Sequence, residues 1–287
     1  MTTEAAGTTS RMRWIAAVLL APSAAIYVVC FIVPTGLLLL RSIYVDGRFT
    51  GSNFAEIAST PLYVGVIWTT FRLSLATTAL CLLLGYPIAM LMVRSGPRVR
   101  ATVLILVIVP YWLDYIVRTY SWMVLLGRNG LLNQLLVRLG MVQVPQSHLS
   151  TDFAVVTGMT QVMLPLMILS LFAGMTRIDQ ELMRAAAAHG AGAWRAFQTV
   201  FLPLSLPGVI AGSLLTFVNA LAFYITPALL GGPKQTMISQ SIDVLASRLL
   251  DWPLASAASV LLLAATLPIF LAFHRFVGLE RQLEART

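Results

Sequence analysis

Apolar residues in this chain come in long uninterrupted runs, at 14–40, 64–93, 102–126, 153–176, 206–230 and 254–274, with short polar segments between them. About 20 residues of α-helix cover the roughly 30 Å of hydrocarbon in a bilayer. Inside lipid every backbone N–H and C=O must be bonded internally, which leaves helices or a closed barrel. Runs that are continuous and not alternating select helices. The pattern therefore predicts an all-α polytopic bundle of about six spans, with 14–275 as one membrane domain between tails at 1–13 and 276–287. The first run is longer than a span needs, so it tilts or bends near Pro34. Pro110, Pro165 and Pro227 fall inside or near the ends of other runs and mark kinks. The polar tail 2–10 reads as disordered. Residues 131–139 read as a short amphipathic helix at the interface. The connections around it either build a platform for an external partner or merely cap the bundle.

Composition agrees with this pattern: 58% of residues are hydrophobic, 10% are charged, and mean hydropathy is +0.84. The first run is too long for a cleaved signal peptide and lacks a small-residue cleavage site. A net charge of +8 invites a nucleic-acid reading, but the basic residues are spread along the chain and sorted by topology. With both termini inside, Arg11, Arg13, Arg94, Arg98, Arg100, Arg177, Arg184, Arg195, Arg275, Arg281 and Arg286 share one side. The other side holds Arg41, Arg48, Arg128, Arg138, Lys234 and Arg248, a ratio of eleven to six. The positive-inside rule makes the first side cytoplasmic. Cys30 and Cys81 lie within apolar runs, without metal-ligand spacing, and read as small buried hydrophobes.

The cytoplasmic loop 177–205 is longer than a connector needs. Asp179 and Glu181 suit the positive end of a helix dipole. Ala185 to Ala188 are strong helix formers, and Gly190 is able to take φ > 0 and end that helix. Residues 191–200 then read as a second short helix, ended by Pro203 and Pro207. Trp194, Phe197 and Phe201 supply anchors to the bundle, while the alanine surface lets another protein approach closely. An interfacial helix with no partner fits the same pattern.

Several polar groups sit at membrane depth. Asp114 and Arg118 are four residues apart on one face of the third run, either as an intrahelical ion pair or as pore lining. As pore lining, Asp114 offers charge to a cationic solute. Tyr111, Trp112, Tyr115, Tyr120 and Trp122 lie nearby, as cation–π faces or as an aromatic belt. Arg72 reads as snorkelling to the outer interface. Gln161, Asn219 and Tyr224 read as interhelical hydrogen-bonding groups or as path residues. Gly208 and Gly212 form a G-x-x-x-G suited to close helix packing. His148, His189 and His274 are scattered and suggest no metal site.

The segment RAAAAHGAGAWRAFQTVFLPLSLPG at 184–208 resembles the cytoplasmic coupling loop of binding-protein-dependent ABC importer permeases. That loop reads E-A-A, three residues, G, nine residues, I-x-L-P. Ala185 and Ala186 take the alanines, Gly190 the glycine, Val200 the Ile position, and Leu202-Pro203 the ending. Arg184 departs from the pattern, standing where the family has Glu; Glu181, one turn earlier, is placed to take part of its role. Three stretches, SLATTALCLLLGYPIAM at 74–90, PYWLDYIVRTYSWMVLLGRNGLLNQLL at 110–136 and LPLMILSLFAGMTRID at 164–179, are similar to the first permease of spermidine/putrescine-type systems. Branches for opines, phosphonates, thiamine and ferric ion share much of this pattern.

The resemblance implies a type I importer fold in the inner membrane, with Glu181, Arg184, Ala185, Ala186, Gly190, Phe197, Leu202 and Pro203 in the ATPase-coupling loop. It also implies a second permease subunit, two ATPase subunits that use ATP and Mg, and an external solute-binding protein. The chain itself is expected to hold no cofactor. A phosphate-binding loop requires G-x-x-x-x-G-K-[ST], and the single lysine, Lys234, sits between Pro233 and Gln235. An ion-coupled secondary transporter is the rival from another class, with Asp114 as its coupling acid. A membrane scaffold without a transport path is a second rival.

Overall fold

The computed structural model describes residues 19–45, 47–141 and 146–284. Tail 2–10, Arg11, Arg13 and Arg286 fall outside them. The helices are α1 Leu19–Ile43, α2 Ser52–Ser59, α3 Pro61–Arg94, α4 Pro97–Tyr111, α5 Tyr115–Leu126, α6 Leu131–Arg138 and α7 Asp152–Met175. They continue as α8 Gln180–Ala188, α9 Ala193–Leu221, α10 Ile225–Leu230, α11 Ile238–Asp243 and α12 Trp252–Glu284. A two-residue hairpin, β1 Tyr44–Val45 against β2 Arg48–Phe49, links α1 to α2. Among the described residues four helices, α1, α3, α7 and α9, are long and apolar enough to cross a membrane alone, and the pair α4 with Tyr115–Arg138, bent by 90°, has the length and composition of a fifth, as a broken span or a re-entrant loop. The shorter apolar stretch Trp252–Pro268 of α12 occupies the sixth run.

Helix α7 is apolar all round and forms the centre, packed between α3 and α9. Its Met159, Met163, Met167, Leu171 and Met175 meet Leu73, Cys81, Ala89 and Val93 of α3. The unbranched methionines fill the irregular space between helices. Where α7 crosses α9 the two backbones nearly touch. A Cβ added to Gly174 would lie 2.7 Å from the Gly208 Cα, and one on Gly212 would lie 3.0 Å from the Met167 sulfur. The G-x-x-x-G of α9 thus packs as its small-residue spacing predicts. Helix α1 leans on α12 and leaves most of its apolar surface uncovered, Cys30 included. Cys30 is therefore not the buried residue its sequence context predicts, whereas Cys81 is fully buried.

Four expectations about the helices are corrected. The third run is not one helix. α4 stops at Tyr111, and the chain bends by 90° before continuing. Asp114 is extended (φ −54°, ψ 134°) and caps α5 through its own carboxylate, so the local chemistry starts a new helix there. The fifth run also breaks: α9 ends at Leu221, and Ala222 to Tyr224 separate it from α10. The second loop helix does not stand alone, and Pro203 and Pro207 do not end it. It is the first part of α9, starting at Ala193 and continuing through a π turn at Phe197–Phe201, where the Leu202 N–H reaches back to the Phe197 carbonyl. The wider turn carries the chain into Pro203, which lies in the first turn of the following α-helical segment, where a missing N–H costs little. Finally, Arg72 does not simply snorkel; its Nη2 lies 2.7 Å from an Asp152 carboxylate oxygen. A π turn at Val28–Ile32 precedes Pro34 in α1, close to the expected bend.

Candidate functional site: the loop and the cavity at the helix breaks

The cytoplasmic loop is built as its sequence dictates. The Asp179 carboxylate accepts the Glu181 N–H at 2.9 Å and caps α8. At the other end Gly190 has φ +81°. The Gly190 N–H donates to Ala187 and the Ala191 N–H to Ala186, both at 3.0 Å, so orphan carbonyls of the last turn are closed by a left-handed glycine. Ala185, Ala187, Ala188, Glu181 and Arg184 are exposed, and Ala186 is half-buried. The return strand of the loop is anchored by aromatics. Phe201 is buried, stacks on Phe197 at 6.0 Å, and lies 5.6 Å from the Arg94 guanidinium. Phe197 meets Tyr86 edge-on, and the Tyr86 hydroxyl lies 2.9 Å from that of Ser205. Trp194 stacks on Phe197 but is 69% exposed, so it is not an anchor to the bundle. Leu202 and Pro203 are exposed beyond this stack. A cleft of about 410 Å³ separates α8 from the bundle, with Arg94, Met183, Arg184 and Phe201 in its walls.

The second feature is a cavity of about 450 Å³ where the two helix breaks meet. Tyr111, Trp112, Asp114, Tyr115 and Arg118 line it from the α4–α5 bend; Met163 and Leu166 come from α7; Asn219 and Phe223 come from the α9 end. The Tyr115 and Phe223 rings lie 6.5 Å apart, and the Thr119 and Thr226 hydroxyls lie 3.0 Å apart, so the two breaks are tied to each other. Five path residues read from the sequence, Tyr111, Trp112, Asp114, Arg118 and Asn219, therefore share one wall. Two do not. Gln161 faces a separate cavity of about 420 Å³ beside Trp122 and Thr160, and its Oε1 has no hydrogen-bond partner. The Tyr224 hydroxyl donates to Asp243 at 3.0 Å, away from the shared wall. The Asp114–Arg118 ion pair is corrected as well. Asp114 takes the Ile116 N–H at 2.7 Å, and among the described residues the salt bridge is Arg72–Asp152 instead. Asn219 bonds back to the Leu215 carbonyl at 2.7 Å, not across helices. Phe223, Met163 and Leu166 were not singled out from the sequence; only the spatial meeting of distant segments reveals them.

The opposite end holds a polar lock that sequence reading missed. Asp152 receives Arg72 and also the Gln235 Nε2 at 2.9 Å, joining α3, α7 and the segment before α11. The Thr70 hydroxyl accepts the Ile238 N–H at 2.8 Å nearby.

Residues 81–279 match the family described as the binding-protein-dependent transport system inner membrane component. The chain belongs to that family. This permease is 34% identical over 274 residues to the spermidine/putrescine transport system permease protein PotB of Haemophilus influenzae, covering 94% of this chain and 93% of that protein. It is 33% identical over 219 residues to PotB of Escherichia coli, covering 76% and 79% of the two chains. The molybdenum transport system permease protein ModB of Mycobacterium bovis is 29% identical over 216 residues, covering 75% of this permease and 80% of ModB. Among solved structures, a bacterial ABC transporter importing alginate matches with a TM-score of 0.77 at 18% identity, covering 94% of this permease and 96% of that chain. The MetNI methionine ABC transporter matches with a TM-score of 0.58 at 18% identity, covering 76% and 95%. The permease thus has the importer fold and is a multi-pass inner-membrane transport component, not an enzyme.

Proposed function

We propose that this permease forms one half of a polyamine import path and is driven by a separate ATPase that grips the 179–201 loop. The observation that carries the substrate reading is the cavity at the helix breaks. Asp114, Tyr111, Trp112, Tyr115 and Asn219 line it together. A carboxylate attracts an alkylammonium group, and aromatic faces add cation–π attraction. The names of the PotB relatives, and the extent of the chain they cover, support the same solute class.

The mechanism follows from the loop geometry. α8 is closed at both ends, by Asp179 and by Gly190, and its exposed alanines leave room for a partner surface. From Ala193 to Leu221 the chain is one unbroken helix, α9, so a push on the loop moves the helix whose far end lines the cavity. ATP and Mg belong to the two ATPase subunits; a second permease completes the path, and an external binding protein delivers the solute. An alginate importer crystallised with its substrate-bound periplasmic protein supplies a precedent for that arrangement. Alternation between two openings then needs only differential binding of nucleotide and solute to the two states.

An importer for an anionic solute is the second reading, favoured by Arg118 in the same wall. Uptake of labelled spermidine and putrescine by proteoliposomes holding the whole complex tests both. Polyamine uptake that falls about 10- to 150-fold in Asp114→Asn, as loss of a charge-assisted contact of about 1.5–3 kcal/mol requires, supports the proposal. ATPase stimulated only by an anionic solute overturns it.

A further inference from the structure

Arg118 is the residue that a polyamine path does not absorb. It sits one turn into α5, only 7% exposed, in the wall of the cavity at the helix breaks. Its Nε and Nη1 are closed off and make no hydrogen bond. The nearest acid in sequence, Asp114, lines the same cavity but makes no salt bridge with it; the described salt bridge is Arg72–Asp152, and one Asp114 oxygen accepts the Ile116 N–H as the cap of α5. The groups lining the same cavity are otherwise aromatic or apolar, apart from Asn219, whose amide is turned back on the Leu215 carbonyl. A guanidinium stays charged at any physiological pH. Left unpaired at membrane depth it is strongly destabilising, and lipid offers it nothing.

We infer that Arg118 is neutralised by a carboxylate of the second permease subunit, inserted into this cavity to make an ion pair across the permease–permease interface. The inference rests on the reading of this chain as half of a path. Two features favour a partner side chain over a transported solute. A solute leaves in every cycle, whereas the charge of a buried guanidinium needs standing compensation, which a partner carboxylate would give at Nη2, the nitrogen that is not closed off. A polyamine also carries the wrong sign. The residues around the mouth fit a protein neighbour: Trp112 is 84% exposed and Leu113 55% exposed beside a charged cavity that cannot face hydrocarbon. An arginine fork recognises a carboxylate with defined geometry, so the pair would also set the register of the two permeases.

The test uses the whole complex, purified through a tag on the second permease, with recovery of this chain as the readout. Arg118→Met keeps a similar length but removes the charge, and is expected to lower recovery by about a hundredfold in association strength, since it strands the partner's carboxylate. Arg118→Lys is expected to retain most of the assembly. Each membrane-embedded Asp or Glu of the second permease is then changed to Asn or Gln together with Arg118→Met. One such combination restoring recovery identifies the pair and supports the inference. Normal recovery of Arg118→Met alone overturns it, whether or not solute selection changes. Loss of recovery that no combination restores also overturns it and assigns Arg118 to the folding of this chain. No solute is present in the assay, so failure of the polyamine reading would leave this result unaffected.

Discussion

The crossing of α7 and α9 is the place where one added methyl group has the most predictable cost. A Cβ on Gly174 would stand 2.7 Å from the Cα of Gly208, a backbone atom that cannot rotate away. Carbon atoms settle at about 3.5–4.0 Å, so Gly174→Ala must open the crossing by roughly 1 Å. Both helices are tied elsewhere, α7 to α3 through the methionine core and α9 to the coupling loop through Phe201. Overpacking of this kind costs about 1–3 kcal/mol, or about 5- to 150-fold in the folded ratio. The control is Gly65→Ala in α3, where an added Cβ meets nothing within 4 Å. That change is expected to stabilise by about 0.5–1 kcal/mol, because alanine loses less entropy in a helix. The assay is the temperature at which the detergent-purified complex loses its monodisperse peak in size-exclusion chromatography. Gly174→Ala should lower it and Gly65→Ala should hold or raise it. Equal behaviour of the two variants would refute the close-crossing account.

Other substitutions probe the loop and the outer lock. Gly190→Ala forces a side chain into φ +81°, at about 1–2 kcal/mol, and should weaken ATPase-coupled uptake while the purified bundle keeps its melting temperature. Asp179→Ala removes the α8 cap, worth about 0.5–2 kcal/mol, and should give a milder loss in the same uptake assay. Phe201→Ala empties a buried ring site and should destabilise the complex by about 3–5 kcal/mol, visible as loss of recoverable protein. Asp152→Asn should cost less than about 1 kcal/mol, because the side chains of Arg72 and Asp152 are 47% and 43% exposed. Its effect on melting should shrink as salt is raised.

Much of the fold is legible because burial in lipid permits so few backbone solutions. The apolar runs locate the spans, and alanines followed by Gly190 announce a helix and its left-handed stop. The breaks are harder to read. Asp114 reads as a mid-helix charge until its capping bond to Ile116 is seen, and the same residue type marks either a helix start or a pore acid. Pro203 reads as a stop, yet a π turn just before it lets the helix continue. Local sequence cannot distinguish these outcomes, because neighbouring helices decide whether a freed carbonyl is tolerated. The site divides the same way. Asp114 and its aromatic neighbours are found by composition of one segment, whereas Phe223 and the Arg72–Asp152–Gln235 lock arise from pairs 80 or more residues apart in the chain.

The central claim, that α8 is the element gripped by an ATPase, is tested most directly by disulfide or maleimide cross-linking from single cysteines at Ala185, Ala188 and Ala196 in the assembled complex. Ala185 and Ala188 are exposed on α8, and Ala196 is buried in the loop's return. Cross-links from the first two to the ATPase subunit, altered by ATP, with none from Ala196, are the predicted result. An ATPase that co-purifies but cross-links to no α8 position would contradict it.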